Sequence, residues 1–378
     1  MRTDLHDGTP RLRSPGRAQS QCLVMETQGA RICPEMRNIY LRGLTTLLTL
    51  RTPTALYAQH RLSRRRCHRR VTYPVLLSAR EVIMSYRIRP KDPDMSAALR
   101  RIAEDRLTRA IEATRAVTPE ARMLAVHDIR KRLKEMRGLI RLVRPDFDGF
   151  KPADQALRDI GRGLSALRDI KVRCDTLGHV ADYAALPDDP LGPYLTELGM
   201  RRDAAYGDPS VTLLRDTGAA LTALRDSSAQ WSLRHSGRRA IFPGLSKTYA
   251  EARDAMEHAR ETRAPEDFHA WRKHVKYHFY HAQILSPIWP EAMAAHIAAA
   301  EALGELLGKH HDLHVLGEEA RAAGLAKAPL KVLEQGLTDR IEMLEKQAFL
   351  DGARLLADTP ETLSRRWSIW YRLWRNSN

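Results

Sequence analysis

An eight-residue pattern, H-x-x-R-K-x-x-K, occurs twice in this chain. It is formed by His127, Arg130, Lys131 and Lys134, and 142 residues later by His269, Arg272, Lys273 and Lys276. On a helix, positions i, i+3, i+4 and i+7 share one face. Each copy therefore lines up one imidazole and three cations along a stripe, and Arg137 and Arg141 continue the first stripe. Like charges at this spacing repel and cost stability, so building such a row twice points to a polyanion as partner. A guanidinium offers a planar fork to phosphate oxygens, and an ammonium a mobile point charge. Successive helical turns rise about 5.4 Å, so each turn can meet a different phosphate of an extended polymer. The histidines donate a hydrogen bond when neutral and add charge when protonated. Beside so many cations their protonation is disfavoured until an anion is bound. The ordinary alternative is a solvated face laced with ion pairs. Only Asp128 and Glu135 accompany the six cations of 127–141, and no acid interrupts 269–281, so the polyanion reading is preferred.

A second cluster, His310-His311-Asp312-Leu313-His314, has residue types that bind metals and hydrolyse phosphoesters. Its counterpart earlier in the chain is Leu167-Arg168-Asp169-Ile170-Lys171. Arg and Lys are not metal ligands, so the shared property is basicity, and no metal or cofactor is expected. Arg168, Lys309 and His310 join the phosphate-binding candidates in a second rank. Asp169 and Asp312 are expected to hold neighbouring basic side chains or to cap a helix. Trp271, Tyr277, Phe279 and Tyr280 could stack bases, but packing on the far face of the helix is the preferred reading. The same holds for Trp367, Trp370, Tyr371 and Trp374, a stripe that suits a helix docked on the core. No P-loop, GxGxxG, HExxH or GxSxG pattern is present.

The elements that must position these residues are helical. From Met95 onward the apolar periodicity predicts helices at 94–116, 119–144, 152–184, 193–206, 210–228, 236–262, 265–285, 290–308, 310–323, 328–356 and 361–375. Thr118-Pro-Glu and Ala264-Pro-Glu open the two stripe helices in the same way, with proline and acids in the first turn. The repeat extends further: Gly161, Leu164, Asp169, Ile170 and Val172 match Gly304, Leu307, Asp312, Leu313 and Val315. Two halves of similar plan, about 94–228 and 236–375, are implied, with both stripes facing one groove.

Residues 1–83 differ from this body. They hold 15 Arg, no Lys and five acidic residues, so they supply +10 of the formal net charge of +16. Their lack of periodicity predicts a disordered or non-native extension, with Met84 as a natural start. A disordered nucleic-acid-binding arm is the other reading. Cys22, Cys33, Cys67 and Cys174 form no CxxC pair, which suits a reducing compartment. No apolar run of 18 residues is present to span a membrane.

These motifs resemble those of the CHAD family, the conserved histidine α-helical domain. The resemblance rests on His127-Asp-Ile-Arg-Lys-Arg-Leu-Lys-Glu-Met-Arg137, on Phe268-His-Ala-Trp-Arg-Lys-His-Val-Lys-Tyr277, and on Leu306-Leu-Gly-Lys-His-His-Asp-Leu-His-Val-Leu316. It covers 84–378. It implies an all-α fold of two helical bundles related by a pseudo-twofold repeat, with a basic central groove or pore. It also implies binding of inorganic polyphosphate, at polyphosphate granules in the cytoplasm, without enzymatic activity. Gly308-Lys-His-His-Asp312 departs from its counterpart Ser165-Ala-Leu-Arg-Asp169, which lacks the glycine. Two rivals stand beside this reading. One is a nucleic-acid-binding module, since any cationic groove attracts both polymers, nucleic acid weakly and non-specifically. The other is a metal-dependent phosphohydrolase built on His310–His314.

Overall fold

The computed structural model describes residues 85–184, 192–322 and 327–377. The expectations for residues 1–83 therefore lie outside the described residues. Among the described residues are eleven α-helices and no strand. The first half contributes α1 (Met95–Ala113), α2 (Pro119–Leu142), α3 (Phe150–Gly163), α4 (Ser165–Ala184), α5 (Gly192–Ala205) and α6 (Asp208–Ser228). The second contributes α7 (Arg238–Thr262), α8 (Pro265–Leu285), α9 (Pro290–Ala322), α10 (Lys327–Leu355) and α11 (Pro360–Asn376).

The stripe helices start where their caps dictate. Thr118 accepts the Ala121 amide at 3.2 Å, with Pro119 and Glu120 in the first turn of α2. α8 has no side-chain cap, but Pro265, Glu266 and Asp267 occupy its first turn. Proline there forfeits no helical hydrogen bond, and the acids meet the positive end of the dipole.

Two expectations are corrected. The helix expected over 152–184 divides at Leu164 into α3 and α4. Gly161 and Gly163 weaken the chain there, and Ser165 turns its hydroxyl back onto the Arg162 carbonyl at 2.7 Å. Conversely, the helices expected over 290–308 and 310–323 are one, α9. Gly308 does not interrupt it, because Leu303, Leu307 and His310 bury on either side and carry the helix through.

Packing follows the same order in each half. α1 lies on α2, and α2 on α3 and α4; α7 lies on α8, and α8 on α9. α4 continues to α5 as α9 does to α10, while α6 covers α1 and α11 covers α7. The halves meet where α2 touches α7 and α8, and where α4 touches α9. The first of these approaches is close: a Cβ on Gly244 of α7 would collide with the Leu142 carbonyl at the end of α2. One continuous core fills the interior, from Leu99 and Ile102 through Met136 and Leu139 to Trp271, Leu303 and Trp367. A smaller cluster of Leu177, Leu198, Ala320 and Leu337 joins α4, α5, α9 and α10. Trp271, Tyr277, Phe279, Tyr280, Trp367 and Tyr371 are all buried, and Trp370 and Trp374 pack against the core at its edge.

Candidate functional site

The polar faces of α2 and α8 carry the stripes. On α2, His127, Lys131 and Lys134 are exposed and Arg130 is half-buried; on α8, His269 and Lys273 are exposed and Arg272 and Lys276 are half-buried. The two arginines are anchored alike. Arg130 Nη1 donates to the Gly161 carbonyl at 2.8 Å, and Arg272 Nε to the Gly304 carbonyl at 3.3 Å. These are the glycines that the sequence pairs as equivalent.

The two stripes come within electrostatic reach of each other. Desolvation by surrounding protein, then the charges of Arg272, Arg130, Arg168 and Lys276, push the Lys134 ammonium down to about 8. Its side chain nevertheless reaches water. Arg168, on α4, completes the cluster from the first half. Burial, then His311, Arg272, Lys273 and Arg168, hold His269 below the usual imidazole value. His311 is depressed by burial and, among its charged neighbours, by Arg272 and Arg168, against the opposing pull of Asp312. The His269 and His311 rings lie 4.7 Å apart. Four helices, α2, α4, α8 and α9, thus converge on one basic cluster.

Charge compensation separates this cluster from the cations around it. Among the described residues, Arg130, Lys131, Lys134, Arg272 and Lys273 form no ion pair. The two acids of the first stripe serve the inner face of α2: Arg132 takes Asp128 and Glu135, both at 3.0 Å, and buried Arg106 reaches Glu135 at 3.3 Å. Lys276 has a loose pair with Glu305 at 3.7 Å.

The second-rank candidates are dispersed. Arg137 and Arg141 both bind Asp154, at 3.1 and 2.8 Å, and Arg141 stacks over Tyr277 at 4.4 Å. One carboxylate thus serves both and offsets part of their charge. Arg168 pairs with exposed Asp169 at 2.9 Å, as expected of that acid. Asp169 and Asp312 lie inside α4 and α9 and cap neither. Lys309 is exposed on α9 and pairs with no described carboxylate.

His310 departs from its expected role. It is 1% exposed, stacked on Phe268 at 4.1 Å, with Nε2 at 3.2 Å from Glu345 Oε1. It belongs to the interior, and its neighbour His311 stands in the cluster instead. The repeat carries that signal: aligning Asp169 with Asp312 places His311 opposite Arg168, and His310 opposite buried Leu167. Within 310–314 the His310 and His314 rings lie 4.6 Å apart, whereas His311 stands beside His269. Among the described residues no group of three or more His, Cys, Asp or Glu is arranged to hold a metal.

The sequence over residues 101–321 matches the family described as the CHAD domain. Among solved structures, PptA from Streptomyces chartreusis superposes with a TM-score of 0.50 at 14% identity, over 68% of this chain and 96% of that one. The CHAD domain from the plant Ricinus communis gives 0.46 at 16% identity, over 69% and 89%. At these identities the likeness is one of fold. No curated protein sequence matches the chain.

Proposed function

The chain belongs to the CHAD domain family, and from that premise we propose that it binds inorganic polyphosphate along a groove lined by α2, α4, α8 and α9. The reading is that of a binding module related by a pseudo-twofold repeat, acting at polyphosphate granules in the cytoplasm, and not of a catalyst.

One observation carries it: Arg130, Lys131, Lys134, Arg272 and Lys273, from both halves, gather with no ion pair to a described carboxylate, while nearby Arg132, Arg137 and Arg141 pair with Asp128, Glu135 and Asp154. The acids at the edge of the cluster, Asp169 on Arg168 and Glu305 on Lys276, leave those five cations unpaired. Burial, and then the neighbouring cations, disfavour the charge on Lys134, and an entering anion relieves the repulsion. His127, Arg130, Lys131, Lys134, Arg168, His269, Arg272, Lys273, Lys276 and His311 form this surface. The neutral-leaning imidazoles of His269 and His311 add hydrogen-bond donors between the fixed charges.

Base recognition has less support. The aromatic rings of α8 that could stack bases are buried in the core, which leaves charge alone to read a nucleic acid. A phosphohydrolase built on His310–His314 has less support, since His310 is buried against Phe268 and Glu345 and, among the described residues, no group of three or more His, Cys, Asp or Glu is arranged to hold a metal.

The test is a pair of triple variants. Arg130, Lys131 and Lys134 are changed to Ala in one, and Arg272, Lys273 and Lys276 in the other. Each lost charge-assisted contact contributes about 1.5–3 kcal/mol, so each variant is expected to bind polyphosphate at least about a hundredfold more weakly. Both should fold, with stability equal to or above that of the parent, because repulsion is removed. Normal binding by either variant would confine the site to one half. Unfolding of both would mark the stripes as structural.

A further inference from the structure

The two half-sites differ in how their cations are held. On α9, Gly304 and Gly308 are one turn apart and both are buried. They face Lys276 and Arg272, which are one turn apart on α8. A Cβ on Gly304 would lie 2.7 Å from Lys276 Cδ, and a Cβ on Gly308 would lie 3.2 Å from both Nε and Nη2 of Arg272. The two glycines form a slot that any larger residue would fill. Inside it Lys276 is held from further sides: its Nζ sits 4.6 Å from the Phe279 ring and 3.7 Å from Glu305. Arg272 is tied to the Gly304 carbonyl at 3.3 Å.

The first half has no such slot. A Cβ on Gly161 would meet only Leu133 Cδ1, at an ordinary 3.8 Å, and Ser165 stands where the second half has Gly308. Arg130 keeps its bond to the Gly161 carbonyl. Lys134, the counterpart of Lys276, has no hydrogen bond, ion pair or ring contact among the described residues.

We propose that Gly304 and Gly308 are positioning residues of the polyanion site: they fix Lys276 and Arg272 as a preset rail, against which Lys134 adjusts. This rests on the polyphosphate reading above. A lysine held before the ligand arrives loses less side-chain freedom on binding than one that must be ordered by it. The second half then anchors the polymer, and the first half accommodates it.

The experiment is a double-mutant cycle in the full chain, with polyphosphate affinity measured by titration calorimetry. Gly304→Ala, which evicts Lys276, is expected to weaken binding about tenfold, the loss of roughly one charge-assisted contact. In a Lys276→Ala background the same change should cost nothing more, because the side chain it displaces is gone. Gly308→Ala against Arg272→Ala gives a second cycle, with a smaller clash if Gly304→Ala fails to fold. Gly336→Ala, in α10 with nothing within 4 Å of the added carbon, is the control. It should raise thermal stability by helix propensity and leave affinity unchanged. Wild-type affinity in both glycine variants, or equal losses with and without Lys276 and Arg272, overturns the positioning role alone. Failure of the unmodified chain to bind polyphosphate overturns both this role and the reading it rests on.

Discussion

Desolvation, and then Arg272, Arg130, Arg168 and Lys276, hold the Lys134 ammonium down to about 8, well below an ordinary lysine at about 10.4. The sign of the consequence follows from linkage. Between these values the unfolded chain binds more protons than the folded one, so this group makes stability rise with pH across that window. The ligand-free protein is expected to become more stable from about pH 7 to 10, and Lys134→Gln should reduce that rise. Polyanion binding favours the charged amine, so affinity should fall over the same range as the proton is lost. His269 and His311 are also depressed, so binding should draw protons onto them and tighten further as pH drops below about 6.5. Calorimetry in buffers of different ionisation enthalpy measures this uptake. A flat affinity from pH 6 to 9.5 and no proton uptake would count against it. The spacing that sets Lys134 and His269 on the polar faces of their helices is legible in the sequence. His310 is buried, and the alignment of Asp169 with Asp312 sets His311, not His310, opposite Arg168.

Helix α3 determines what Arg137 and Arg141 do. Asp154 has a side chain only 5% exposed and gathers Arg137, Arg141 and Arg158. Those arginines pull its carboxyl below the ordinary value despite burial. Asp154→Ala is expected to cost about 2–3 kcal/mol, near the lower end for a broken buried pair because the arginines keep some contact with water. It should leave polyphosphate affinity equal or higher, since two cations are freed. Chemical denaturation and binding titrations on one preparation check both. Loss of affinity with unchanged stability would return Arg137 and Arg141 to the site. The stripes were legible because helical periodicity is a property of the sequence. The Asp154 pairings were not, because contacts at 13 and 17 residues cross a turn and follow no period. The break at Leu164 and the continuity through Gly308 were missed for a related reason. A glycine ends a helix or admits a neighbour according to what packs against it, and here Arg272 packs against Gly308.

At the scale of the whole molecule, the all-α class follows from the helical periodicity of the chain. The seam where α2 meets α8 and α4 meets α9 emerges only in the fold, because it joins residues far apart in sequence. The formal charge of +16 is concentrated in residues 1–83, and the body is nearly balanced. Under the present account, affinity comes from the clustered cations of the body and not from net charge. A chain begun at Met84 is therefore expected to bind polyphosphate as well as the full chain. Loss of most affinity on truncation would make residues 1–83 a binding arm. The measurement closest to the central claim is a competition of polyphosphate, duplex DNA and RNA for the full chain, at equal phosphate concentration and one salt concentration. The account predicts that polyphosphate displaces both nucleic acids. Its affinity should fall steeply with salt, by several logarithmic units per decade if about six or more phosphates are neutralised. Tighter binding of duplex DNA that persists at moderate salt would contradict it.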